Sequence, residues 1–299
     1  MSGNNKLVLV DAYAQIYRNF FAIRGLTNER GEPTNALFGV ARFLLNLDER
    51  LPGEYGAVVF DKGVPRQRLE LLPEYKATRP AMPDELRAQV PALREWIQAA
   101  GWHLLEYEGR EADDLIATAA AERDERETYI VSPDKDLAQL VQPGVWLMIP
   151  RKKGNLEPLG VEEVREKWGI PPESVRDYLA ILGDASDNIL GVPGVGSKTA
   201  ARLVRQFGSI DAMYARLDEI GSDKLREKLR DAEELLKRNR ELIGLDASRP
   251  PNWPGLEGLK RNPPDWDRLT KLAADNQFKS LMPAVRKARD AYRNPTLFD

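Results

Sequence analysis

Short apolar runs alternate with longer stretches of helical spacing along the first half of this chain. LVLVD (7–11), GAVVFD (56–61), HLLEYEG (103–109), TYIVSPD (128–134) and VWLMIP (145–150) have the length and composition of buried strands. Between them AYAQIYRNFFAI, ALFGVARFLLNL, LRAQVPALREWIQAA, EADDLIATAAAERD and DKDLAQLV carry apolar residues at helical spacing. This alternation predicts an α/β fold: a mostly parallel sheet covered by helices on both faces. Residues 62–83, KGVPRQRLELLPEYKATRPAMP, break the rhythm. The segment is too long for a simple connection and too charged for core, which marks it as a functional loop. Beyond about residue 160 the pattern turns helical, with no convincing strand. PNWPGLEGLKRNPPDW (251–266) reads as a Pro-rich linker before a last pair of helices. The expected division is an α/β domain over residues 1–160 and a helical region over 161–299.

Composition narrows the chemistry. The chain has 299 residues, 42% hydrophobic and 30% charged, an ordinary balance for a soluble globular protein. No apolar run approaches the ~18–20 residues that span a bilayer, and the N-terminus lacks the features of a signal peptide. With no cysteine, disulfides and thiolate metal sites are excluded, and a cytoplasmic location is expected. The net charge of −3 excludes an all-round basic coat. The single histidine, His103, sits in the apolar run WHLLEY and is read as structural. That excludes a His-based zinc site, so carboxylates must carry any catalysis.

The acids fall in a pattern. Asp11 follows LVLV, Asp61 follows AVVF, and Asp134 and Asp136 follow YIVSP. In an open parallel sheet, groups just beyond the carboxyl ends of strands meet in one crevice. Glu111, Asp113 and Asp114 open a helix, where the dipole favours acids. Asp184 and Asp187 lie three apart in LGDASDN. Any one of them is readily explained as a turn or helix cap. Together, that many converging carboxylates would repel unless hard divalent cations, Mg²⁺ or Mn²⁺, neutralised them.

GVPGVGSKTA (191–200) is not a P-loop, because Ser197 separates Gly196 from Lys198, and its glycine spacing is not GxGxxG. It reads as a glycine-rich hairpin before the helix TAARLVRQF. Such a hairpin presents backbone amides to phosphate, with Lys198 adding a charge and Arg202 and Arg205 nearby. It would grip a duplex backbone without reading sequence.

With these motifs in hand the chain resembles the bacterial 5′→3′ exonuclease/flap endonuclease family, which includes the N-terminal nuclease domain of DNA polymerase I. The resemblance runs through LVDAYAQIYR, GEPTNALFGV, AVVFDKG, YKATRPAMPDELRAQ, EGREADDLIAT, SPDKDLAQLV and LGDASDNILGVPGVGSKTA, from residue 7 to about 207. It implies a PIN-like, Rossmann-like sheet, with a helical arch at about 62–95 and a helix–hairpin–helix at about 175–207. The implied activity is two-metal, structure-specific 5′ cleavage of DNA in replication or repair. The resemblance assigns Asp11, Asp61, Glu111 and Asp113 to one metal cluster and Asp134, Asp136, Asp184 and Asp187 to the second. Asp114 joins the acidic group without a fixed place. Lys76 and Arg79 resemble the basic pair on the arch, Arg18 a phosphate contact, and Tyr75 an aromatic on which a terminal base stacks. In the hairpin, Gly191, Val192, Gly194, Val195, Gly196, Ser197, Lys198 and Thr199 resemble the duplex-gripping element, which often holds K⁺ on its carbonyls.

The chain departs from the family pattern at Ala12, Asn35 and Pro133, positions usually held by glycine. Pro133 removes a backbone donor beside two of the acids. Rival readings are a flap- or junction-binding protein with weak or no nuclease activity, a PIN-like ribonuclease and a Mg²⁺-dependent phosphatase. The last two account for neither the basic arch nor the hairpin. The expected partner is DNA with a 5′ flap or a 5′ end at a duplex junction, met by a stand-alone, nucleoid-associated monomer. Pro295-Thr296-Leu297-Phe298 further resembles a short peptide that docks on a sliding clamp.

Overall fold

The computed structural model describes residues 5–151 and 154–293. The expected clamp-docking peptide, Pro295 to Phe298, lies outside the described residues. The chain opens with strand β1 (Lys6–Asp11), helices α1 (Ala12–Ala22) and α2 (Asn35–Arg50), and strand β2 (Tyr55–Val59). Short helices α3 (Arg66–Leu71) and α4 (Asp84–Arg87) occupy the charged interruption, followed by α5 (Val90–Ala99) and β3 (His103–Leu105). Next come α6 (Ala112–Ala121), β4 (Glu127–Val131), β5 (Val145–Pro150) and β6 (Leu156–Leu159). The stretch DKDLAQLV, expected as a helix, forms only a 3₁₀ turn over Asp136–Leu140.

The six strands order as β3-β2-β1-β4-β5-β6, parallel throughout except β6, which pairs antiparallel with β5. The pleat divides β1 between two cores. Leu7 and Leu9 pack with Leu115 and Ile116 of α6, whereas Val8 and Val10 face Ile16 of α1, Leu44 of α2 and Trp96 of α5. All four β1 side chains are at most 1% exposed. Burying each contributes about 1.5–3 kcal/mol relative to solvent. Strand order reverses between β1 and β4, the place where an open α/β sheet forms a crevice. His103 is structural: its Nε2 donates to the Lys260 carbonyl at 2.6 Å, tying edge strand β3 to a distant loop.

The second half is helical: α7 (Val161–Trp168), α8 (Val175–Leu182), α9 (Ser197–Phe207), α10 (Ile210–Ala215), α11 (Asp223–Asp231), α12 (Glu233–Ile243), α13 (Trp266–Asp275) and α14 (Met282–Arg293). Leu269, Leu272, Phe278 and Val285 join the Val8–Val10 core, so the last helix pair packs on that face of the sheet. The second half departs from expectation in that two short strands do occur: β7 (Gly183–Asp184) pairs antiparallel with β8 (Ile189–Leu190).

That ribbon depends on close backbone approach. Gly183 has φ +75°, and a Cβ there would lie 2.3 Å from the Gly191 nitrogen and 2.5 Å from the Ile189 carbonyl oxygen. Gly183→Ala is expected to cost on the order of 2–4 kcal/mol, because both the dihedral and the packed backbone oppose it. A thermal melt checks this; an unchanged melting temperature would remove the claim that the ribbon needs glycine.

Candidate metal and phosphate site

β2, β1 and β4 are neighbours in the sheet, and each delivers an acid to the same carboxyl-terminal edge. Asp11 ends β1 and caps α1, accepting from the Ala14 amide at 3.1 Å and from the buried Ser132 hydroxyl at 2.8 Å. Two residues beyond β2, Asp61 accepts from the Ala112 amide at 2.7 Å and so holds the start of α6. Just after β4, the Ser132 hydroxyl also accepts from the Asp134 amide at 3.0 Å, while Asp134 accepts from the Asp136 amide at 2.9 Å. Pro133 thus forms a turn whose hydrogen bonds are supplied by Ser132 and not by its own nitrogen.

These acids sense one another. Burial first, then Asp61 and Asp134, push the Asp11 carboxyl up to about 7, against the pull of Ser132 and Ala14. Burial and the neighbours Asp134, Asp11 and Asp61 raise Asp113 well above the usual carboxylate range. Asp134 is raised by burial and by Asp187 and Asp184. Asp136 is pushed up to about 8 by burial, Asp134 and Asp184. One neighbourhood therefore joins Asp11, Asp61, Asp113 and Asp134, and the other joins Asp134, Asp136, Asp184 and Asp187.

Basic side chains from the charged interruption lean into both. Lys76 bonds Glu111 and approaches Asp187 to 3.7 Å, and Arg79 reaches Asp187 at 2.5 Å. Lys76 has φ +55° and donates its amide to the Asp187 carbonyl at 3.1 Å, so this segment is strapped onto the turn after β7. Lys135 sits 3.0 Å from Asp184. Burial raises Asp184, yet Ser186 and Lys135 outweigh it and hold the carboxyl below its ordinary value.

Several of the expected site residues already have partners within the chain. Asp114 is turned from Asp113, about 100° around the helix, toward Arg68: it is gripped through both oxygens by Arg68 (2.7 and 2.9 Å), which it shares with Glu111, and accepts from the Asp246 amide at 2.9 Å. Tyr75 is 7% exposed, and its hydroxyl donates to Asp187 at 3.1 Å. Leu72 is buried beside it, so the interruption is not wholly surface. Arg18 is turned to the end of β5, where it donates to the Pro150 carbonyl.

Sequence reasoning missed Arg68, Lys135 and Ser132. Arg68 also bonds Glu111 and donates to the carbonyls of Leu242 and Gly244, both at 3.1 Å, joining the acids to the end of α12. Lys135 stands between two of the named acids, which was a usable signal; Arg68 had none.

Among the described residues no three acids close around one point as a ready cage. The donor set nonetheless fits hard divalent cations. A buried Asp136 oxygen, Oδ1, has no partner, and the carboxyls with raised values favour a cation over mutual repulsion.

The hairpin after β8 is seated by Val192 and Val195, both buried, while Gly194, Gly196, Ser197 and Lys198 are exposed. Gly191 packs on the Leu182 carbonyl, and Thr199 starts to turn inward as α9 begins.

Profiles of the 5'-3' exonuclease N-terminal resolvase-like domain and of its C-terminal SAM fold match residues 6–169 and 170–267. The chain belongs to the 5'-3' exonuclease family. It is 35% identical to a 5'-3' exonuclease of Aquifex aeolicus over 94% of this chain and 95% of that protein. It is 40% identical to DNA polymerase I of Bacillus subtilis over 94% of this chain, but spans only 32% of that longer relative. Solved structures share the fold. A bacteriophage T5 flap endonuclease with DNA and metal ions is 22% identical, with TM-score 0.65 over 95% of this chain and 100% of that one. Flap endonuclease-1 of Methanococcus jannaschii is 18% identical, with TM-score 0.63 over 98% and 94%.

Without metal, the raised carboxyls set the sign of the pH dependence. Asp11 and Asp136 have folded values above their unfolded ones, so their contribution is full below about pH 4 and is lost as pH rises through about 7–8. In EDTA the melting temperature is expected to fall between about pH 4 and pH 8 through these two groups. Asp136→Asn is expected to raise it by about 2–4 °C at the upper end, a change of about 1 kcal/mol. A variant melting below wild type there would show that Asp136 is not under charge stress.

Proposed function

We propose that this chain is a structure-specific 5′ nuclease, a 5′→3′ exonuclease and 5′-flap endonuclease that hydrolyses DNA phosphodiesters with two divalent ions, Mg²⁺ or Mn²⁺. One observation carries the reading. Three adjacent parallel strands each lead into an aspartate at one edge, within three residues of the strand's end, beneath a strap that carries Lys76 and Arg79. Asp11, Asp61, Glu111 and Asp113 would hold one ion, and Asp134, Asp136, Asp184 and Asp187 the other. Bound there, the ions supply Lewis acidity toward the phosphate and a more acidic water.

The protein's own groups do the rest. Lys76 and Arg79 bring positive charge over the acids, where it can stabilise negative charge growing on a phosphate. Arg68 fixes Glu111 through a hydrogen bond and anchors it to α12. The hairpin Gly191–Thr199 grips the duplex backbone some distance from the chemistry, which lets the enzyme recognise a junction without reading bases. Residues 1–160 would carry the chemistry and the helices that follow would hold the duplex. The family membership and the Aquifex relative, matched over nearly its whole length, support this reading.

The test is cleavage of a 5′-labelled flap DNA in Mg²⁺, in Mn²⁺ and in EDTA. Wild type is expected to release a short labelled product near the junction only with metal. Asp11→Ala and Asp184→Ala are expected to lose at least about 10²-fold in rate. Asp114→Asn, which touches Arg68 and not the crevice, is expected to keep cleaving while melting earlier. Tight flap binding without cleavage in any metal would instead identify a junction-binding protein.

A further inference from the structure

Glu111 stands at the N-cap of α6 but does not cap it: its side chain accepts no hydrogen bond from the helix. A long carboxylate side chain keeps one position only if contacts from elsewhere offset its rotamer entropy. Here two cations divide its oxygens between them. Arg68 takes Oε2 and Lys76 takes Oε1.

The two are held differently. The Lys76 ammonium pairs with acids of the crevice, Glu111 and Asp187. Arg68 has five N–H donors, and all five are used. Nε donates to the Leu242 carbonyl and one Nη2 proton to the Gly244 carbonyl, both at 3.1 Å. The fork grips both oxygens of Asp114 at 2.7 and 2.9 Å, and the last donor goes to Glu111. Four of the five bonds are therefore independent of Glu111 and remain when a metal ion takes up its charge.

The fixed point is the C-terminal turn of α12. The last carbonyls of a helix have no partner within it, and the negative end of the helix favours cations. Side chains from three other elements meet them. Arg176 of α8 donates to the Arg240 carbonyl at 2.8 Å, and Gln139 of the 3₁₀ turn that begins at Asp136 donates to the Ile243 carbonyl at 3.1 Å. Arg68 is the third. The segment that follows α12 also grips α6 directly. The Asp246 amide donates to Asp114 at 2.9 Å. Arg110, the residue before Glu111, donates to the carbonyls of Asp246 at 3.0 Å and Ser248 at 2.8 Å.

We infer that Arg68 is a positioning residue for one of the two ions: fixed on the end of α12, it holds Glu111 by Oε2 and leaves Oε1 for a cation in place of Lys76. The inference rests on the two-ion reading proposed above and deepens it. Arg68 and Lys76, both basic and both on Glu111, thereby have opposite effects: Lys76 competes with the ion, and Arg68 prepares its ligand.

The experiment measures Mn²⁺ binding to the full chain without DNA, from the electron paramagnetic resonance signal of the free ion, with circular dichroism confirming that each variant is folded. In Arg68→Met one ion is expected to bind about 10–100-fold more weakly, the range for removing a group that orients a metal ligand, while the other changes less than about twofold. Arg68→Lys keeps the charge but not the five-donor fork, and is expected to remain at least about threefold weaker than wild type for the same ion. Unchanged affinity for both ions, with earlier melting alone, would overturn the inference and leave Arg68 a purely structural residue. Tighter Mn²⁺ binding would also overturn it, because Arg68 would then be a competitor of the ion. If Arg68→Met does not fold, Arg68→Lys decides by the same threefold criterion. Failure of the two-ion reading has a different signature: wild type itself would bind no Mn²⁺.

Discussion

Carboxylates that share a crevice repel, and this repulsion organises the structure. Two like charges about 4 Å apart near a protein surface oppose each other by roughly 4 kcal/mol. Here the parallel sheet leaves no freedom to separate them, since β2, β1 and β4 are hydrogen-bonded neighbours ending at one edge. Burial is the larger penalty, and with the neighbouring carboxylates it pushes Asp11 and Asp136 to about 7 and about 8. Stability has been given up at this edge, and such a concession is typical of functional sites.

What offsets the repulsion also builds the site. Lys76, Arg79 and Lys135 bring cations to the acids from two directions, and Arg68 neutralises Glu111 and Asp114 from beneath. The strap that carries Lys76 is thereby held against the turn that carries Asp187, with Tyr75 buried under it. Lys76 adopts a left-handed backbone conformation that a lysine rarely takes, so the surrounding contacts must impose it. Metal ions would compete with Lys76 and Arg79 for the same carboxylates.

Much of this was legible in the sequence, for a physical reason. Strands buried on both faces are short apolar runs, and an acid directly after such a run lands at the sheet edge, so Asp11, Asp61 and Asp134 could be placed by position alone. The helix after residue 111 was harder. Adjacent acids on a helix point in different directions, and only the structure tells which faces the crevice: Asp113 does and Asp114 does not. The burial of Tyr75 was hard to see because the charge of residues 62–83 hid an inward row, Leu69, Leu72 and Tyr75, at spacings of three. Contacts such as Arg68 to α12, or Lys228 to the hairpin, join residues far apart in the chain and leave no local pattern. The β7–β8 ribbon escaped because two-residue strands have no period to detect.

The most direct measurement of the central claim, that the acids form a two-ion site, is the number of Mn²⁺ ions bound per chain, followed by electron paramagnetic resonance during a Mn²⁺ titration. Wild type is expected to bind two ions, Asp184→Ala to keep one, and Asp11→Ala to keep the other with its affinity reduced. A chain that binds no Mn²⁺, or a wild type indistinguishable from both variants, would contradict the account.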